Sequence, residues 1–95
     1  MIVAYIPDLM DRSKVRGARF VSRPQELLAA HATIVVVDLS RPGVLDVIPA
    51  LVAAGTRVIG FGSHVDGATL DGARAAGAEA MARSVFFARV ADLLA

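Results

Sequence analysis

Five short apolar segments, each followed by a longer amphipathic one, limit the fold of this chain more than any other feature. The short segments are residues 2–6, 19–21, 33–38, 57–62 and 79–81. In the longest of them nearly every position is apolar, which is typical of strands that are buried on both faces of a sheet. Such an alternation predicts parallel strands joined by right-handed helical crossovers.

Helix signals separate these strands. Helices are expected over residues 9–18, 22–31, 44–55, 66–77 and 84–95. The second has a capping pattern of Ser22 with Gln25, with Pro24 in the first turn. Gly55 is suited to the position after the third helix. Pro49 predicts either a kink in that helix or a helix that begins close to it.

The pattern therefore predicts an α/β fold with a doubly wound, five-stranded parallel sheet in a three-layer sandwich. The expected strand order is the flavodoxin-like 2-1-3-4-5. A chain of 95 residues with no linker or low-complexity segment is expected to form one domain, residues 1–95. Hydrophobic residues make up 56% but aromatic residues only 5%, so the core should be aliphatic.

Charge and cysteine content exclude several classes of function. The net charge is +1, without the basic patch that nucleic-acid or anionic-membrane binding requires. The densest basic group is interrupted by Asp11 and is interpreted as a solvated helix face; it consists of Arg12, Lys14, Arg16, Arg19 and Arg23. The absence of cysteine excludes disulfides and thiolate metal sites. With neither a signal peptide nor a membrane helix in the sequence, the expected location is the cytoplasm.

Polar residues follow four of the strands, at the edge where such folds bind ligands. Asp8, Asp38, Ser63 and Arg83 follow strands one, three, four and five, respectively. Each also has a purely structural interpretation. Asp38 can cap the turn at Ser40, Asp8 can belong to an ordinary turn, and both Ser63 and Asp66 are candidate caps of the fourth helix. His64 has no His or Cys partner at metal-binding spacing and is interpreted as a surface residue.

The segments "VVVDLSRPG", "VIGFGSH" and "AGAEAMARSVFF" resemble the receiver domains of bacterial response regulators, and the resemblance extends over nearly the whole chain. It implies that Asp38 is the phosphoacceptor and that Asp8 and Asp38 are acidic ligands of Mg²⁺. Gly62 or Ser63 would take the position of the switch hydroxyl, and Arg83 that of the lysine.

The chain also departs from the receiver pattern. Pro7-Asp8 replaces an acidic pair, so one carboxylate is missing, and Arg83 is not equivalent to lysine. Ser84 replaces the proline that follows that lysine in receivers. We therefore expect a non-enzymatic, free-standing signalling domain of a two-component system. Its phosphoacceptor site would be degenerate, and it would act by protein–protein interaction with a kinase or an effector on another chain.

Two alternatives remain open. Asp38 can be an active phosphoacceptor that works with Mg²⁺, or the segment "GFGSH" with Arg83 can bind a small anion or nucleotide. The last helix has a wide apolar face made of Phe86, Phe87, Val90 and Leu94. This face predicts either a buried helix or a surface for a homodimer or a protein partner.

Overall fold

The five predicted apolar segments form one parallel sheet in the computed structural model, which describes residues 1–95. Its strands are β1 (Ile2–Tyr5), β2 (Ala18–Phe20), β3 (Ile34–Asp38), β4 (Arg57–Gly62) and β5 (Glu79–Ala82). They lie in the order β2-β1-β3-β4-β5, and every neighbouring pair is parallel. The predicted fold class and strand order are therefore confirmed.

Four helical segments connect the strands, and a fifth follows β5. They are α1 (Leu9–Ser13), the 3₁₀ helix Pro24–Ala29, α2 (Val44–Ala53), α3 (Gly67–Ala75) and α4 (Arg83–Leu93). α1 is shorter than predicted. It ends where the Ser13 hydroxyl donates to the carbonyl of Met10, and Gly17 with φ +80° then turns the chain into β2.

The second crossover was predicted as an α-helix and is instead a 3₁₀ helix. The N-cap position is taken by Arg23, so the predicted capping pattern of Ser22 with Gln25 does not form. Instead, the backbone N–H of Ser22 donates a hydrogen bond to the Glu26 carboxylate. A 3₁₀ helix rises about 2.0 Å per residue, so six residues extend further along the sheet than they would in an α-helix.

α2 runs through Pro49 and begins at Val44, so the alternative in which this helix begins close to Pro49 is wrong. Proline leaves the carbonyl four residues earlier without its helical donor. The carbonyl in question belongs to Leu45, which lies on the exposed side of α2 together with Pro49. Gly55 has φ +87° and donates to the carbonyl of Val52, so its predicted place after the helix is confirmed.

Side chains alternate between the two faces of the sheet. Along β3, Val35 and Val37 enter a core of 17 buried residues, which the 3₁₀ helix, α2 and α3 cover. Val36 enters the smaller core of eight buried residues on the other face, to which α4 contributes Phe86 and Leu93. The two layers are therefore unequal, and the thinner one contains α1 and α4.

Candidate functional site

The turns after β1, β3, β4 and β5 lie at the same edge of the sheet because all the strands are parallel; we call it the carboxyl edge. This edge includes Asp8, Asp38, Ser63 and Arg83, the four predicted site residues. The negative charges of Asp8 and Asp38 both act on Arg83 and contribute to raising the pKa of its guanidinium. The topology thus places residues that are far apart in sequence within electrostatic reach of one another.

Asp38 stabilises the turn that follows β3. Its Oδ1 accepts hydrogen bonds from the backbone N–H and the hydroxyl of Ser40, at 3.0 and 2.6 Å. Its Oδ2 accepts from Nε of Arg41 at 3.3 Å. The side chain is only 4% exposed, so these contacts satisfy a carboxylate that would otherwise be buried at high cost. This is the turn-capping geometry that the sequence allowed for Asp38.

Asp8 is exposed and caps α1. Its Oδ1 accepts hydrogen bonds from the backbone N–H groups of Met10 and Asp11, at 2.8 and 3.0 Å. These bonds, first of all the one from Asp11, lower the pKa of the Asp8 carboxyl below its ordinary value, and the positive charges of Arg83 and Arg41 lower it further. Asp8 is therefore a helix cap within a positive field.

Arg83 forms a bidentate ion pair with Asp11. Its Nη2 and Nη1 donate to the two carboxylate oxygens at 2.8 and 3.1 Å. The guanidinium carbon also lies 5.5 Å from the ring centre of Phe61 and 5.4 Å from that of Phe87. Hydrogen bonding to Asp11 is the main cause that raises the pKa of Arg83. The ionic partner of Arg83 within the chain is therefore Asp11 and not Asp38.

Asp11 was missed as a site residue, and it supplies the second carboxylate near Asp8 that the sequence was taken to lack. Its side chain is 6% exposed. In the helix expected over residues 9–18, Asp11 lies four residues before the apolar Val15, and this spacing would have placed both on one face. Both residues are buried in the structure, although α1 ends at Ser13. The identity of its partner could not be found in this way, because Arg83 is 72 residues further along the chain.

Ser63 and the adjacent His64 line an open cleft of about 400 Å³ at the carboxyl edge; we call it the carboxyl-edge cleft. The Ser63 hydroxyl accepts a hydrogen bond from the N–H of Val65, and Asp66 rather than Ser63 caps α3. The remaining lining residues are Lys14, Gly62, Ala82, Arg83, Ser84 and Phe87. No carboxylate lines this cleft, and its two cationic side chains are Lys14 and Arg83, of which Arg83 is paired with Asp11.

Among Asp8, Asp11 and Asp38, only Oδ2 of Asp8 is a carboxylate oxygen without a hydrogen-bond partner that a Mg²⁺ ion could use. Mg²⁺ needs near-octahedral oxygen ligands, usually from one or two carboxylates with free lone pairs. Both oxygens of Asp11 are bonded to Arg83, and both oxygens of Asp38 are bonded to Ser40 and Arg41. No three His, Cys, Asp or Glu side chains are grouped as a metal site requires. The expected metal ligands Asp8 and Asp38 therefore have other structural partners.

The apolar residues predicted on the last helix divide into two groups. Phe86 is completely buried and stacks on Phe61 with ring centres 5.0 Å apart, so its assignment to an interface is corrected to the core. Phe86 is buried because it faces inward from α4 and lies over the Phe61 side chain of β4. Phe87, Val90 and Leu94 are half-buried and keep part of their apolar surface accessible to a partner.

No helix of the protein has the length and apolar character needed to cross a membrane. Comparisons with protein-family models, with curated proteins and with solved structures give no match. Fold topology and the geometry of the carboxyl edge are therefore the grounds for assigning a function.

Proposed function

We propose that this protein is a receiver-like signalling domain with a degenerate phosphoacceptor site, which acts by protein–protein interaction and without obligatory phosphorylation. The ion pair between Arg83 and Asp11 is the observation that carries this proposal. It keeps a permanent cation at the carboxyl edge and occupies a carboxylate that a metal would need.

The state of Asp38 supports the same proposal. A carboxylate nucleophile needs an accessible oxygen and a cation that neutralises the incoming phosphoryl group. Asp38 is buried, and its two oxygens accept hydrogen bonds from Ser40 and Arg41. Phosphorylation would have to break these bonds and expose the residue, which makes Asp38 a poor acceptor.

Incubation with acetyl phosphate and Mg²⁺, followed by intact-mass measurement, tests this proposal. We expect no gain in mass under conditions that fully modify a receiver domain with a complete acidic pair, run in parallel. A gain that is present in the native chain and lost in Asp38→Asn would overturn the proposal. That result would establish the active-phosphoacceptor alternative instead.

A second candidate function is a module that binds a small anion or nucleotide. The carboxyl-edge cleft favours it, since the cations Lys14 and Arg83 line the cleft and no carboxylate does. Inorganic phosphate and ATP, added without Mg²⁺, discriminate between the two candidates. A rise in melting temperature with either compound that is lost in Lys14→Gln would support the module, whereas the signalling domain predicts no rise.

A further inference from the structure

The thinner layer of the fold has room for one more helix. A five-stranded parallel sheet needs helices over each face, because its strands are apolar on both sides. On the thinner side, α4 has 11 residues but α1 has only five. At 1.5 Å per residue, α1 covers about half the length that α4 does. The first residues of three strands on this face remain only half-buried; they are Ile2, Ala18 and Ile34.

A groove of about 360 Å³ lies where a longer α1 would pack against α4. We call it the α1–α4 groove; its lining residues are Lys14, Arg16, Val90, Ala91 and Leu94. Lys14 also lines the carboxyl-edge cleft, so the two depressions adjoin along α4. The groove therefore has an apolar wall on α4 and a basic wall on the turn after α1.

The basic wall has no acidic partner within the chain, although the ammonium of Lys14 lies 5.0 Å from the ring centre of Phe87. Lys14 and Arg16 are exposed and take part in none of the five ion pairs of the protein. No carboxylate lines the groove. Charge complementarity therefore favours an occupant with acidic groups, while Val90 and Leu94 favour one that also has apolar side chains.

A second copy of this chain does not provide such an occupant. Only two helical segments of the chain have a net negative charge, and each has a single carboxylate: Glu26 in the 3₁₀ helix and Asp46 in α2. α4 itself carries Arg83, Arg89 and Asp92, so pairing α4 against the groove of another copy would bring like charges together.

We propose that the α1–α4 groove binds an acidic amphipathic helix of a partner protein, which completes the helical layer on this face of the sheet. The proposal rests on the proposed function, because it specifies the chemistry of the signalling partner. The apolar stripe of the partner helix packs against Val90 and Leu94, and its carboxylates pair with Lys14 and Arg16. The length of α4 suits a partner helix of about three turns.

Two synthetic peptides test the proposal. Both have leucine at the i, i+3, i+4, i+7 positions of a helix, one with glutamate and the other with lysine at the polar positions. We expect the glutamate peptide to bind by isothermal titration and the lysine peptide not to bind. Amide shifts in nitrogen-15 spectra should change at Lys14, Arg16 and the second half of α4. Equal binding of both peptides, binding of neither, or shifts confined to another surface would overturn the proposal.

Charge-reversal variants make the test specific. The double variant Lys14→Glu with Arg16→Glu should bind the glutamate peptide about tenfold more weakly or worse, because two attractive charge pairs become repulsive. Arg19→Glu with Arg89→Glu is the matched control, since it reverses the same number of charges at two exposed arginines that line neither depression. It should change the affinity less than about twofold. Equal losses in both variants would mean that only net charge matters and would overturn the proposal.

Two further outcomes concern other occupants. Binding to phosphatidylserine vesicles but not to the glutamate peptide would assign the groove to a membrane surface. Dimerisation that Leu94→Gln abolishes would assign it to a second copy; both results overturn this inference. Neither result changes the phosphorylation state of Asp38, so the mass measurement distinguishes failure of the docking proposal from failure of the proposed function.

Discussion

Arg83 determines the electrostatics of the carboxyl edge. Its guanidinium packs beside the rings of Phe61 and Phe87 and donates two hydrogen bonds to the carboxylate of Asp11. An arginine stays protonated throughout the pH range in which proteins are folded, and the raised pKa of Arg83 favours its protonated form further. The site therefore contains its own cation, fixed in position by α1 and by the start of α4.

Replacing Asp11 by asparagine tests how much this ion pair contributes to stability. The amide keeps the shape of the side chain but can accept only one of the two hydrogen bonds from Arg83. Because the Asp11 side chain is 6% exposed, we expect the free energy of unfolding to fall by about 2 kcal/mol in urea titrations.

Asp71→Asn is the matched control for that substitution. Asp71 also pairs with an arginine, Arg74, but its side chain is 79% exposed. Solvent screening should limit the loss to about 0.5 kcal/mol or less. Equal losses for Asp11→Asn and Asp71→Asn would show that the pair at the carboxyl edge has no special structural importance.

At the scale of elements, local sequence patterns predict the strands better than the crossovers. Residues 33–38 and 57–62 were predicted as strands from apolar runs, and they are the central strands of the sheet. The 3₁₀ helix was not predicted, because Pro24 in a first turn and a nearby acidic residue are compatible with both types of helix. The choice between an α-helix and a 3₁₀ helix depends on the distance that the crossover must span, and the whole fold sets that distance.

Gly60 allows Leu39 to pack against the middle of β4. A Cβ atom at residue 60 would lie 2.7 Å from two carbon atoms of the Leu39 side chain. Leu39 is buried and cannot move away freely. We expect Gly60→Ala to lower the free energy of unfolding by about 1–3 kcal/mol, as overpacked cores do.

Gly62→Ala provides the comparison within the same strand. There a Cβ atom would be 3.5 Å from the Leu70 side chain, an ordinary contact distance. Its effect on the unfolding free energy should be within about 0.5 kcal/mol of zero. Adding Leu39→Ala to Gly60→Ala should cost less than the sum of the two single substitutions. Additive losses would contradict the proposed overlap with Leu39.

At the scale of the whole molecule, topology supplies the part of the site that sequence patterns lack. The grouping of Asp8, Asp38, Ser63 and Arg83 at one edge followed from the predicted strand order. The pairing of Arg83 with Asp11 did not follow, because neither residue carries a local sign of the other. The difference between the two helical layers was also not predictable, because it depends on how short α1 is beside α4 in the folded chain.

Carboxylates at both ends of the sheet give the molecule a predictable response to acid. Hydrogen bonds lower the pKa of Asp8 and Asp66, which cap helices at the carboxyl edge. At the opposite edge, a side-chain hydrogen bond from Arg57 lowers the pKa of Glu79 below its ordinary value of 4.5. A lowered carboxyl pKa means that the unfolded chain takes up the proton first as the pH falls.

The free energy of unfolding should therefore be nearly constant between about pH 8 and 5.5 and should fall steadily below about pH 4.5. Glu79→Gln should remove part of this dependence. Its side chain and that of Arg57 are 47% and 42% exposed, so the loss at pH 7 should be about 1 kcal/mol or less. The difference between the native chain and Glu79→Gln, measured by urea titration at a series of pH values, should decrease to nearly zero by about pH 3. A difference that stays constant from pH 7 to 3 would show that the charge of Glu79 does not stabilise the fold through Arg57.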